Sequence, residues 1–131
     1  MTVAVAAEHH PQRLIATGIP IEPVDYNGVT YQIGQANNAL LYHGLGLGTI
    51  VAGASKVTSG MLLAAAHAVA GQVDLTSPGA SLLPPVENLR ESSAITATAV
   101  VQAAMRDNVS AHRPSHPEQA VRAAMWEPRY S

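Results

Sequence analysis

Val24-Asp25-Tyr26-Asn27-Gly28-Val29-Thr30-Tyr31-Gln32-Ile33-Gly34-Gln35-Ala36-Asn37-Asn38 is the stretch in which this chain passes from extended to helical backbone. Asn27-Gly28 is the favoured pair for a two-residue type I′ turn, because both central positions need φ > 0. The flanking Val, Thr and Tyr residues suit strands. The spacing predicts a hairpin that sets Tyr26 against Val29 and Val24 against Tyr31 on one face. Upstream, Leu14-Ile15-Ala16-Thr17 is a short apolar run stopped by Gly18, consistent with a brief buried strand. Gly18-Ile19-Pro20-Ile21-Glu22-Pro23 carries two prolines and is expected to be extended rather than helical. The residues before it, 1–11, read as a flexible tail.

After Gly34 the pattern turns helical. Residues 38–54 are mostly apolar and are interrupted by Gly44, Gly46 and Gly48. Thr58 or Ser59 can cap a helix running to about Val73, with Leu62, Ala65, Ala66, Val69 and Val73 along one face. The other faces carry Met61, Leu63, Ala64, Ala68 and Ala70, with His67 and Gln72 almost the only polar side chains. A helix apolar all round is normally buried all round, and a chain of 131 residues has little protein with which to surround it. Asn88-Leu89-Arg90-Glu91 has the form of a capping box, opening a helix to about Arg106 with Ala94, Ala97, Val101, Ala104 and Met105 on one side. Ser115-His116-Pro117-Glu118 repeats the capping logic and opens a short helix to about Trp126, ended by Pro128.

Composition narrows the function classes. Hydrophobic residues make up 47% and charged residues 12%, with a net charge of -2, which suits a folded chain rather than a charged tail. The seven basic residues are scattered, so nucleic acid is not an expected partner. No run approaches the length of a membrane span, no secretory leader is evident, and a cytoplasmic protein is expected. Cysteine is absent, which removes disulfides and thiolate ligands. Aromatics are only 4%, with no Phe, so a core built mainly from Ala either needs very close helix approach or draws bulk from other protein.

Few residues form a chemical constellation. Gly44-Leu45-Gly46-Leu47-Gly48 approaches a dinucleotide fingerprint, but Thr49 stands where the third small residue belongs and no acid follows at the ribose-binding distance. We read these glycines as allowing close packing. Asn37 and Asn38 supply uncharged amide donors suited to a carboxylate or hydroxyl, and equally suit a turn and helix cap. His112 and His116 are four apart with Pro114 between them, a pattern expected of a polar loop. Lys56 is the only lysine, no two acids are adjacent, and no G-x-S-x-G is present, so an autonomous active site is not expected.

Together these motifs resemble one family, the malic enzymes. Leu14-Ile15-Ala16-Thr17-Gly18-Ile19-Pro20 is similar to that family's Ala-Thr/Ser-Gly-Ser-Pro stretch, and Gly34-Gln35-Ala36-Asn37-Asn38 to its Gly-Gln-x-Asn-Asn. Gly44-Leu45-Gly46-Leu47-Gly48 resembles Pro-Gly-Leu-Gly-Leu-Gly, with His43 in place of Pro. Leu83-Pro84-Pro85-Val86-Glu87-Asn88-Leu89 and Ala124-Met125-Trp126-Glu127-Pro128-Arg129-Tyr130 fit as well, the latter best with bacterial members. The likeness runs in order over residues 13–130.

The resemblance implies an α/β fragment, mostly α: a short strand and hairpin from the end of a Rossmann-type, NAD(P)-binding domain (12–37), then three or four helices. Residues 38–110 would pack on a substrate and metal domain outside this chain, and 111–131 would form a C-terminal helix and tail. It implies oxidative decarboxylation of L-malate to pyruvate and CO₂ with NAD or NADP and Mn²⁺ or Mg²⁺, in a homo-oligomer. Asn37 would contact the substrate, with Asn38 beside it. The family's general acid, general base, metal carboxylates and dinucleotide fingerprint have no counterparts here, so catalytic, cofactor-binding and metal residues are expected to be none and this chain alone inactive. Two other readings stay open: a non-enzymatic helical interaction module, and one half of a split malic or malolactic enzyme.

Overall fold

The computed structural model describes residues 14–127. The flexible tail expected at 1–11 and the stop expected at Pro128 lie outside the described residues. In chain order the elements are β1 (Ala16–Thr17), β2 (Val24–Tyr26), β3 (Val29–Tyr31), β4 (Gly34–Gln35), α1 (Ala39–Ala52), α2 (Ser59–Ala70), a 3-10 turn (Val86–Asn88), α3 (Leu89–Arg106) and α4 (Pro117–Ala124).

The hairpin forms with the expected register, Val24 opposite Tyr31 and Tyr26 opposite Val29. Its turn residues have the positive φ that the pair was read for, 49° at Asn27 and 79° at Gly28. Across the strands the Thr30 hydroxyl donates to Asp25 Oδ1 at 2.6 Å. β1 exists but is not solitary: it pairs in parallel with β4, Ala16 beside Gly34 and Thr17 beside Gln35. Gly34 N–H donates to Ile15 O at 2.9 Å and Ala36 N–H to Thr17 O at 2.8 Å. The end of the hairpin is pinned by Gln32 N–H to Gly79 O at 2.8 Å. Gly79 has φ +76°, and a Cβ there would lie 2.2 Å from Thr30 O, so only glycine lets these backbones meet.

The helices surround α3. It is buried at Ser92, Ser93, Ala94, Thr96, Ala97, Val100, Val101, Ala103 and Ala104, and α1, α2 and α4 all pack against it. The alanine-rich core therefore works by close approach. A Cβ on Gly44 would sit 2.4 Å from Thr96 Cβ, and one on Gly48 would sit 2.6 Å from Ala97 O. These glycines lie within α1, as the packing reading required. α1 ends in a Schellman motif, with Gly53 at φ 57° and Ala54 N–H donating to Thr49 O at 3.0 Å.

Three helix details differ from expectation. α2 is capped by Thr58, whose Oγ1 accepts from Met61 N–H at 3.1 Å, but it ends at Ala70 and buries Met61, Ala65 and Val69. Leu62 and Ala66, expected inside, are exposed. The sequence is apolar on every side of this helix, so periodicity could not select the face. The box at Asn88 does not form: Asn88 makes no side-chain cap bond, its N–H donates to Pro85 O at 3.1 Å, and Glu91 accepts from Arg122 at 2.7 and 3.0 Å. Charge-assisted bidentate pairs are among the stronger hydrogen-bond arrangements. Glu118 likewise accepts from Arg122 Nε at 2.9 Å; α4 begins at Pro117 without a side-chain cap and stops at Ala124 rather than at Trp126.

Candidate functional site

Asn37 and Asn38 lie where β4 gives way to α1, beyond the carboxyl ends of two parallel strands. Ligands of open α/β sheets bind at such ends. Asn37 N–H donates to Gln35 O at 2.9 Å, which turns the chain. Asn37 Oδ1 then accepts from Ala39 N–H at 2.9 Å, and Asn37 O accepts from Leu40 N–H at 3.1 Å. The capping role thus belongs to Asn37. Asn38 is already helical in backbone (φ -57°, ψ -25°) and its side chain makes no cap bond. Its carbonyl accepts from Tyr42 N–H at 2.9 Å.

This division of labour orients one amide. An N–H facing another N–H is repulsive, so the oxygen of Asn37 must face Ala39 and the NH₂ must point the other way. Asn37 is half-buried, Asn38 is exposed, and no acceptor within the described residues takes the Asn37 NH₂. The first turn of α1 carries no acidic side chain, so nothing there offsets the partial positive charge of the helix start. An anionic or hydroxyl-bearing group approaching this point would find the Asn37 NH₂ available as a donor. Beside it, the Thr17 hydroxyl donates to Ile19 O at 2.8 Å and tightens the turn leaving β1. The sequence marked residues 14–17 only as a strand, and their nearness to Asn37 depends on a parallel pairing that has no local signal.

Other features do not converge on the pair. A cleft of about 470 Å³ lies between the Pro20–Glu22 segment, β4 and the Pro84-Pro85 loop, and neither asparagine lines it. Gly44, Gly46 and Gly48 are inside α1, where their amides serve the helix, and they form no cradle for a pyrophosphate. Among the described residues, this glycine motif does not fit a dinucleotide's pyrophosphate. Nor does the donor set fit a divalent ion: within the described residues no three His, Cys, Asp or Glu side chains come together. His112 lies in the loop beside Gly53 and His116 precedes α4. The perturbed carboxyls serve structure. The Arg122 guanidinium holds Glu91 below the usual range, and the Thr76 hydroxyl and N–H do the same for Asp74.

Comparison with known proteins is specific. The family described as "Malic enzyme, NAD binding domain" matches residues 3–105. The chain is 54% identical over 117 residues to NAD-dependent malic enzyme 3 of Bacillus subtilis (strain 168), covering 89% of this chain and 21% of that protein. It is 48% identical over 126 residues to a putative malate oxidoreductase [NAD] of Mycobacterium tuberculosis, covering 96% of this chain and 23% of that one. A malolactic enzyme of Leuconostoc mesenteroides is 45% identical over 117 residues, 89% of this chain and 22% of the relative. The chain spans about a fifth of the length of these curated relatives.

Proposed function

This chain belongs to the malic enzyme family, matching its NAD-binding domain, and from that membership we propose that Asn37 is a substrate-holding residue of an NAD(P)-dependent malic enzyme. The reaction is oxidative decarboxylation of L-malate to pyruvate and CO₂, in a cytoplasmic homo-oligomer using NAD or NADP and Mn²⁺ or Mg²⁺. The observation that carries the proposal is the divided Asn37 amide: the oxygen is held by Ala39 N–H at 2.9 Å and the NH₂ is left to donate. Two N–H donors on a fixed amide nitrogen suit the carboxylate or hydroxyl of malate, and fixing them beforehand lowers the entropy lost on binding. Asn38 supports the same turn through its carbonyl. In this reading the helices of 38–110 close on the remainder of the enzyme, and this chain alone has no turnover.

Two assays test it. Purified chain with malate, NAD or NADP and Mn²⁺ should give no cofactor reduction above background. Turnover that follows the protein through purification refutes the inactivity. When the chain is supplied with the remaining portion of a malic enzyme, Asn37→Asp should leave helix stability intact while raising KM for malate, because the cap acceptor stays and the donors go. An unchanged KM removes Asn37 from the substrate. The malolactic reading rests on the 45% identity to the Leuconostoc protein, below the 54% to the Bacillus malic enzyme, and identifying pyruvate or lactate as product decides between them.

A further inference from the structure

α1 and α2 contain no Asp, Glu, Lys or Arg, yet each presents a face that nothing in the described residues covers. On α1 that face is Tyr42, Gly46 and Ile50, one turn apart, with Tyr42 59% and Ile50 76% exposed. Gly46 differs from its two neighbours in the motif. A Cβ on Gly44 or Gly48 would strike α3, whereas a Cβ on Gly46 would meet nothing within 4 Å. Glycine weakens a helix relative to alanine, and here no contact among the described residues offsets that loss. A notch between two large apolar side chains one turn either side is the shape that receives a ridge from another helix.

We propose that Tyr42, Gly46 and Ile50 form the seat of an apolar helix from the portion of a malic enzyme that lies outside the fifth spanned by this chain, with Gly46 at the closest approach. The inference rests on the reading given under Proposed function. The occupant is protein rather than lipid, because α1 has no Lys or Arg to meet headgroups. It comes from the rest of the enzyme because the relatives align over 89–96% of this chain and carry four-fifths of their length elsewhere. The seat begins five residues after Asn37, so the same contact sets the candidate substrate residue near the incoming part.

The test mixes the full chain with a polypeptide holding the remaining four-fifths of the Bacillus subtilis enzyme and follows complex formation by light scattering on a sizing column. Native chain should form a complex. Gly46→Leu should weaken it about tenfold or more, from overpacking at a closed contact. Gly46→Ala should weaken it less while raising the Tm of the chain alone, opposite signs that a purely internal role of Gly46 does not produce. Arg106→Ala, on exposed α3 surface, should leave binding unchanged. Undiminished binding by Gly46→Leu overturns the seat and spares the reading of Asn37. Absence of any complex with native chain overturns both. Self-association of the chain alone, lost in Gly46→Leu, gives the stripe to a second copy and also overturns the proposal.

Discussion

At the scale of single residues, Asn37 caps α1 with its side-chain oxygen and is proposed to hold substrate with its NH₂, and substitutions separate the two. Asn37→Ala removes the acceptor for Ala39 N–H and should cost about 1 kcal/mol of stability, read as a lower urea midpoint. Asn37→Asp should hold the midpoint, because a carboxylate accepts the same bond and favours a helix start. Glu91 offers a second test. Arg122 donates to it twice, so its folded carboxyl ionises below the ordinary glutamate value of about 4.3. The stabilisation is therefore full above that ordinary value and lost as pH falls through the lower folded one. The Glu91 carboxyl shift followed by NMR should titrate below free glutamate, and Arg122→Gln should move its midpoint up. Both groups are largely in solvent, so the effect on global stability is small.

At the scale of elements, what could be read from the sequence depended on how far away the deciding partner lay. The hairpin was legible because its turn chemistry sits in two adjacent residues, Asn27 and Gly28. α3 was legible in extent because its alanines recur at helical spacing between two loops. The parallel pairing of β1 with β4 was not, because no local pattern marks a partner 18 positions away (Ala16 to Gly34). At the Asn88 box, Glu91 pairs instead with Arg122, which lies 31 residues further on. The buried face of α2 failed for another reason: with apolar residues on all sides, only the neighbours in space choose. Met61, fully buried, and Leu62, 46% exposed, are adjacent in sequence and opposite in role. Met61→Ala should cost about 2–5 kcal/mol in denaturant unfolding, and Leu62→Ala little. Equal losses at both positions would mean that α2 faces its neighbours differently.

At the scale of the whole molecule, polarity is divided. The charged side chains of Arg90, Glu91, Glu118, Arg122 and Glu127 gather where α3 meets α4 and its outgoing chain, joined by ion pairs. The uncharged helices α1 and α2 leave Ile50, Leu62 and Leu63 in solvent, at 76%, 46% and 59% exposure. Scattered apolar residues are ordinary on a protein surface, and the partner proposed above is what would cover these uncharged faces. The chain alone should bind a hydrophobic dye such as ANS while folded and lose that signal when the remainder of the enzyme is added. Persistent dye binding in the complex would leave these faces without a partner. None of the described helices is long and apolar enough to cross a membrane.

The turn at Asn27-Gly28 also reaches the candidate site through the order of assembly. β1 and β4 must find each other across the connection 18–33, and the entropy of closing a loop grows with the length left free. Once the hairpin has zipped, which takes microseconds, its eight residues no longer count as slack. Halving the free connection in this way favours the parallel pair by about 0.6 kcal/mol. Gly28→Ala, forced to keep φ at +79°, would therefore do more than strain a surface turn. It would lengthen the search by which β4 reaches its register, and so delay the moment at which Asn37 is delivered to the end of the sheet.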